Sequence, residues 1–239
     1  MYAGSARWLS ELPATLPAAP KCVLSVSGHW EAAEFTVGTA EHPPMLYDYY
    51  GFPEHTYRIK YPAPGSPAVA RRVQDVLAAA GIDTHTDAAR GFDHGTFVPL
   101  SLMYPEANIP VVQLSVKNTL DPHEHLRMGA ALQPLRTEGV LIVGSGLSYH
   151  NMRGFSGGGT QVSQVFEQWL TRVVASPDVE TRNRELASWE QAPSARSAHP
   201  REDHLIPLMV AAGAAGDDVG RRDFLDTAMG IAMASYRFG

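Results

Sequence analysis

Cysteine is nearly missing from this chain of 239 residues: Cys22 stands alone, so no internal disulfide framework can form and a Cys-rich zinc module is excluded. Inside its apolar run Cys22 reads as a small buried hydrophobe. Long apolar runs are missing too. None reaches the roughly eighteen residues of a membrane-spanning helix, and the N-terminus lacks the basic-then-apolar order of a secretory leader. No membrane partner is expected, and a cytoplasmic protein is the default. A basic excess is also absent: 19 Lys and Arg against 25 Asp and Glu give a balance of −6 with the ten histidines neutral, which argues against a general nucleic-acid binder. Phosphate-loop and dinucleotide fingerprints are not found, since Gly144-Ser-Gly146 runs into Leu, Ser and Tyr where a third glycine is required. No Gly-x-Ser-x-Gly elbow occurs either.

What is present is a chain that should fold, with 44% hydrophobic and 18% charged residues, far from the composition of disorder. Helical spacing covers Ser5 to Leu12, Ser66 to Gly81 with a serine cap and a proline at the first position, Pro122 to Arg136, Gln161 to Val174, and the apolar stretch His204 to Ala215. Strand-like runs are Lys21 to Ser27, ended by Gly28-His29-Trp30; Pro110 to Val116; Gly139 to Val143, apolar enough to be covered on both faces; and a closing strand within Gly230 to Phe238. His42 to Pro64 has no periodicity and reads as a long ordered loop, a feature more often functional than incidental. Pro177 to Ala198 is polar and irregular with one short helix, and Gly157-Gly-Gly159 reads as a flexible loop. Strands alternating with helices predict an α/β fold with a mostly parallel central sheet flanked by helices, in a single domain over 1–239.

Ligands of such sheets bind beyond the carboxyl ends of the strands. His29 and His150 both fall where predicted strands end, and His204 sits at a predicted helix start after Glu202-Asp203. Asn151 is expected to support His150, and Asp93 to orient an imidazole near the turn that holds His94. His199 would compete with His204 or cap a turn, while His123 and His125 read as a solvated helix start. Several histidines gathered on one rim with few carboxylates favour a bound divalent metal such as iron or zinc.

The runs Ser27-Gly-His-Trp30, His42-Pro-Pro-Met-Leu-Tyr-Asp-Tyr-Tyr-Gly-Phe-Pro53, Tyr61-Pro-Ala-Pro-Gly65, Gly91-Phe-Asp-His-Gly95, Pro110-Val-Val-Gln-Leu-Ser115, Ser145-Gly-Leu-Ser-Tyr-His-Asn151 and His204-Leu-Ile-Pro-Leu208 follow one another in an order that resembles the class III extradiol ring-cleavage dioxygenases, closest to the 4,5-DOPA extradiol dioxygenase-like branch. The likeness extends over nearly the whole chain to Ser235-Tyr-Arg-Phe-Gly239. It implies a non-haem metal centre, Fe(II) for activity with Zn(II) as another ion it can hold, that opens a catechol ring beside its hydroxyls with both atoms of dioxygen. His29 and His204 match metal ligands; His150 matches the acid/base histidine, counted among the ligands in zinc-bound members; His94 matches a catalytic pocket residue near the substrate. Tyr47 and Tyr50, with His94, are the expected substrate contacts. The partners implied are a small catechol and dioxygen, and oligomeric state is left open, a homo-oligomer included.

One departure accompanies the likeness. Family members begin with a short strand and a His-Gly-Ser-Pro segment carrying a further ligand, whereas this sequence opens on Met1-Tyr-Ala-Gly-Ser5, so the expectation is a domain lacking its first strand. With two protein ligands instead of three, metal should bind loosely. Either the start is misassigned or truncated, or the chain is a shortened paralogue; retention of His29, His94, His150 and His204 favours the former. Two other functions remain beside the dioxygenase: a non-catalytic, metal-poor binding protein or partner subunit, and a zinc-dependent hydrolase using the same histidines.

Overall fold

A computed structural model describes residues 3–239. In chain order the elements are α1 (Ala3–Glu11), β1 (Cys22–Ala32), β2 (Thr36–Gly38), α2 (Pro67–Ala79), β3 (His85–Asp87), α3 (His94–Met103), β4 (Val111–Lys117), α4 (Pro122–Thr137), β5 (Val140–Ser145), α5 (Gly159–Val174), α6 (Val179–Ala187), α7 (Ala195–Ala198), α8 (Ile206–Ala214), β6 (Gly220–Asp226) and β7 (Met233–Phe238). They fall into two compact units, one of residues 6–119 and 134–145, the other of residues 3–5, 120–133 and 146–239. No helix among the described residues is long and apolar enough to cross a membrane. The expected loss of a first strand concerns the chain start at Met1 and Tyr2, which lies outside the described residues.

The first unit is built on a five-stranded sheet of order β3-β2-β4-β1-β5. β1 pairs in parallel with both β4 and β5, β2 pairs in parallel with β3, and one antiparallel pairing, Val37 with Leu114, joins β2 to β4. The mostly parallel α/β expectation therefore holds. Residues 22–28 of β1 are all buried, as a central strand covered on both faces requires. Its serines are satisfied: Ser25 donates to Thr96 Oγ1 (3.0 Å), Thr96 donates to Gln113 Oε1 (3.0 Å), and Gln113 Nε2 donates to the Gly91 carbonyl (2.9 Å). This buried chain fixes α3 against β1 and β4, and Val23, Tyr61, Phe92, Phe97 and Leu100 form the apolar core beside it.

Several elements differ from the sequence reading. β1 does not stop at Ser27; it runs to Ala32, and its register with β4 jumps from Ser27↔Ser115 to Glu31↔Val116, so residues 28–30 bulge out between adjacent β4 positions. β5 is an edge strand and half-buried, not covered on both faces. The short β2 and β3, and α3 after the Gly91 turn, have no clear signal in the sequence; α3 is apolar on all sides and carries Pro99, so it shows no amphipathic period.

In the second unit α5 packs against α6, α7 and the antiparallel β6–β7 hairpin, while α6 contacts α8. The closing strand exists as β7, but its partner β6, with Arg221, Arg222 and Asp223, was too polar to read as a strand. The irregular stretch after Pro177 holds two helices, α6 and α7, and a 3-10 turn at Trp189–Gln191. The Gly157-Gly-Gly159 run forms the turn that enters α5, with Gly158 in the left-handed region at φ 83° as the residue before the helix.

Candidate functional site

The β1 bulge places His29 at its centre, toward the carboxyl end of β1, the interior strand between β4 and β5. The His29 amide donates to Ser27 Oγ (3.1 Å), and its carbonyl accepts from Arg90 (3.2 Å). Arg90 also pairs with Asp93 (3.1 Å) and lies over the Trp30 ring at 5.1 Å. Asp93 caps α3 by accepting from the Thr96 amide (3.0 Å), so one short chain of contacts fixes both the His29 backbone and the helix that begins at His94. The His29 and His94 ring centroids are 3.9 Å apart.

The carboxylate on these rings belongs to Asp48, in the long loop, and not to Asp93 as the sequence reading expected. Asp48 Oδ1 lies 2.8 Å from His94 Nδ1 and Oδ2 3.5 Å from His29 Nδ1. Burial works to raise the Asp48 pKa, but the His94 side chain and amide outweigh it and hold the carboxyl down at about 2. A loop aromatic also flanks His94: Tyr49 lies edge-on with ring centroids 5.5 Å apart and donates its hydroxyl to the Thr56 carbonyl (2.7 Å). Tyr47 gives its hydroxyl to the Ile59 carbonyl (2.5 Å) and packs on Phe97, while Tyr50 is 92% exposed.

A second group lies in the other unit. His150 and His204 stack with centroids 3.4 Å apart and planes 19° from parallel, and His204 Nδ1 is 2.8 Å from Asp203 Oδ2. The segment bearing His150 is laid along α7: the His150 amide donates to Ala198 O (3.0 Å), His199 Nε2 to Ser148 O (3.1 Å) and Asn151 Nδ2 to Ser197 O (2.8 Å). Asn151 therefore holds backbone rather than supporting the His150 ring, and His199 is a fully buried bolt, neither a rival of His204 nor a solvent-side cap. Burial first, then His204, pushes the His150 pKa down to about 4, with Asp203 opposing; burial takes His199 down to about 4 as well. Asp203 is held below its usual value, its hydrogen bond from His204 overcoming the opposing effect of burial. His204 precedes α8 as expected, whereas His125 is fully buried with Nδ1 against Asp121 O (2.7 Å), not part of a solvated face.

In each group, His29/Asp48/His94 and His150/Asp203/His204, one donor atom per residue lies within 4.8 Å of the others. Imidazole nitrogens with a carboxylate fit a divalent transition metal, and the carboxylates on Nδ1 of His94 and His204 suit the tautomer whose lone pair sits on Nε2. The LigB family, described as the catalytic LigB subunit of aromatic ring-opening dioxygenase, matches residues 2–239. The chain belongs to this family. As a LigB-family protein it is an extradiol aromatic ring-opening dioxygenase, as the class III resemblance implied. It is 44% identical to a Beta vulgaris 4,5-DOPA dioxygenase extradiol over 203 residues, 83% of this chain and 75% of the relative. It is 39% identical to dioxygenase tasH of Hapsidospora irregularis over 236 residues, 92% and 72% of the two chains. The crystal structure of an uncharacterized Escherichia coli K12 protein superposes with a TM-score of 0.83 at 30% identity, covering 98% of this chain and 92% of that one.

Within this LigB-family chain the sequence reading missed Asp48 altogether and named Asp203 only as an acidic neighbour of His204. The signal for Asp48 was indirect: an acidic residue in a long unperiodic loop. Asp203 was visible as the residue before a site histidine.

Proposed function

We propose that this LigB-family enzyme opens a catechol ring next to its two hydroxyls, inserting both atoms of dioxygen, with a divalent metal ion that is Fe(II) for activity. The observation carrying the metal is the pair of imidazole–carboxylate groups in a chain of this family. His29 and His204 take the ligand roles that the resemblance implies, and His150 that of acid/base. When bound, the ion supplies Lewis acidity toward the catechol hydroxyls and the redox partner for dioxygen. His150 accepts a hydroxyl proton at a ring nitrogen and returns it as the ring opens. His94, Tyr47 and Tyr50 contact the substrate. Asp203, hydrogen-bonded to His204 Nδ1, keeps that ring from turning. Residues 1–239 act together as one catalytic domain, in the cytoplasm, on small molecules alone.

The test is anaerobic loading with Fe(II), then air and a catechol; the 4,5-DOPA relatives make 3,4-dihydroxyphenylalanine the first to try. Dioxygen uptake with a yellow ring-opened product is expected. No uptake by metal-loaded protein overturns the reading in favour of a non-catalytic paralogue, and zinc-dependent hydrolysis without dioxygen overturns it in favour of a hydrolase. Among variants, His29→Ala and His204→Ala lose metal retention, whereas His150→Ala keeps metal better than it keeps turnover; equal loss in all three overturns the division of roles.

A further inference from the structure

The loop that carries Asp48 is docked by backbone pairing and not by its side chains alone. Met45 forms a parallel bridge with Phe92, with Leu46 N donating to Phe92 O (2.8 Å) and Phe92 N to Pro44 O (2.8 Å). Phe92 is two residues before His94, so this bridge delivers Asp48 to the start of α3. There Asp48 Oδ1 accepts from the His94 amide (2.9 Å) and lies 2.8 Å from its Nδ1, while Oδ2 faces His29 Nδ1 at 3.5 Å. The Asp48 side chain is only 17% exposed. Capping explains only its bond to the His94 amide, not its placement on the two rings. Asp93 already caps α3 through the Thr96 amide, so a second carboxylate whose two oxygens are shared between two imidazoles serves the rings.

We propose that Asp48 is a positioning residue for His29 and His94: one carboxylate, brought in by the long loop, holds the Nδ1 edges of both rings and fixes each as the tautomer protonated on Nδ1. This deepens the functional reading and rests on it, since it takes His29 as a metal ligand and His94 as a substrate contact. In that tautomer the lone pair sits on Nε2 of each ring, the nitrogen then available to a metal ion at His29 or to a substrate hydroxyl at His94. Carboxylates that orient metal-bound imidazoles characteristically change metal affinity 10- to 100-fold when removed. The arrangement also makes the loop part of the centre, because undocking the Met45–Phe92 bridge would withdraw the carboxylate from both histidines at once.

The test uses the full chain, metal-free and labelled with 15N-histidine, at pH 8. Two-bond proton–nitrogen imidazole spectra should show His29 and His94 protonated on Nδ1 in the parent protein. In Asp48→Ala both should shift toward the Nε2-protonated form, with α3 intact by circular dichroism. Calorimetric titration with Zn2+ alone should give about 10- to 100-fold weaker binding in Asp48→Ala and Asp48→Asn, and partial recovery in Asp48→Glu. Should Asp48→Ala not fold, Asp48→Asn carries both readouts. Unchanged tautomers, or Zn2+ affinity within twofold of the parent, overturn the proposal. A parent chain that shows the tautomers and their Asp48 dependence yet takes up no dioxygen upholds the positioning role and overturns the catalytic reading instead.

Discussion

Gly146 lies directly against the carbonyl of His204: a Cβ built on Gly146 would sit 2.1 Å from that oxygen, which also accepts from the Leu147 amide at 3.0 Å. No side chain fits there unless His204 moves, because the obstacle is backbone. Gly146→Ala is expected to cost about 1–3 kcal/mol of stability and, by shifting His204, to weaken Zn2+ retention on the order of tenfold. Thermal melting and calorimetric titration of the same preparation check the two effects. A variant with parental melting and metal retention would show that the Gly146–His204 approach is dispensable.

Two further glycines set a helix crossing. A Cβ on Gly129 in α4 would lie 2.2 Å from Val210 O, and one on Gly213 in α8 would lie 2.2 Å from Leu126 O, so the backbones meet at a reciprocal contact. Neither helix can retreat without opening the interior around Met128, Met209 and Val210, all fully buried. Gly129→Val or Gly213→Val should each lower unfolding free energy by about 2–4 kcal/mol, read from urea titration. In the double variant the costs should fall short of their sum, because the first substitution already separates the helices.

How much of this was legible in the sequence depends on whether a feature is local. The apolar run to Ser27 and the glycine after it announced a strand ending near His29, but the bulge that seats the ring depends on register with β4, whose residues lie more than eighty positions away. His204 before a buried helix could be read from Leu205-Ile-Pro-Leu-Met-Val210, since the apolar run and its preceding acids are neighbours in the chain. Asp48 could not: its loop lacks periodicity, and the Met45–Phe92 bridge that places it joins segments with no shared local signal. Asp93 shows the opposite error. Its adjacency to His94 suggests an imidazole partner, but its position makes it the cap of α3 and the partner of Arg90.

Arg182 is fully buried in α6 and gives its guanidinium to backbone oxygens at and beyond the end of α8: Ala212 (2.9 Å), Gly216 (2.9 Å) and Asp218 (2.7 Å). It also stands over the Phe238 ring at 5.4 Å. A planar cation with several fixed donors suits a helix C-terminus, where carbonyls lack partners and the dipole is negative. Arg182→Met should therefore cost about 2–4 kcal/mol, because the buried Ala212 carbonyl and the part-buried Gly216 and Asp218 carbonyls lose the guanidinium, and Arg182→Lys should cost less because the ammonium reaches some of them. Chemical denaturation of both variants tests the order. Equal stability of Arg182→Met and the parent would sink the assignment.

Cys22 offers a pH-dependent readout remote in kind from the histidines. It is 1% exposed at the start of β1, and burial pushes its thiol up to about 11 from an ordinary 9.0. Because the folded value is the higher one, the folded state holds the proton longer. The associated stability is complete below pH 9 and is lost as pH rises toward 11. A rise of that size corresponds to roughly 2–3 kcal/mol. Tyrosines and lysines titrate in the same window, so the measurement is a difference: the stability gap between the parent and Cys22→Ala, followed by urea unfolding from pH 8 to 11, should move against the parent by up to that amount. In parallel, iodoacetamide at pH 8.5 should leave Cys22 unmodified in the native chain and alkylate it fully in 8 M urea. Rapid native alkylation would mean that β1 opens at its first residue far more readily than a fully buried central strand allows.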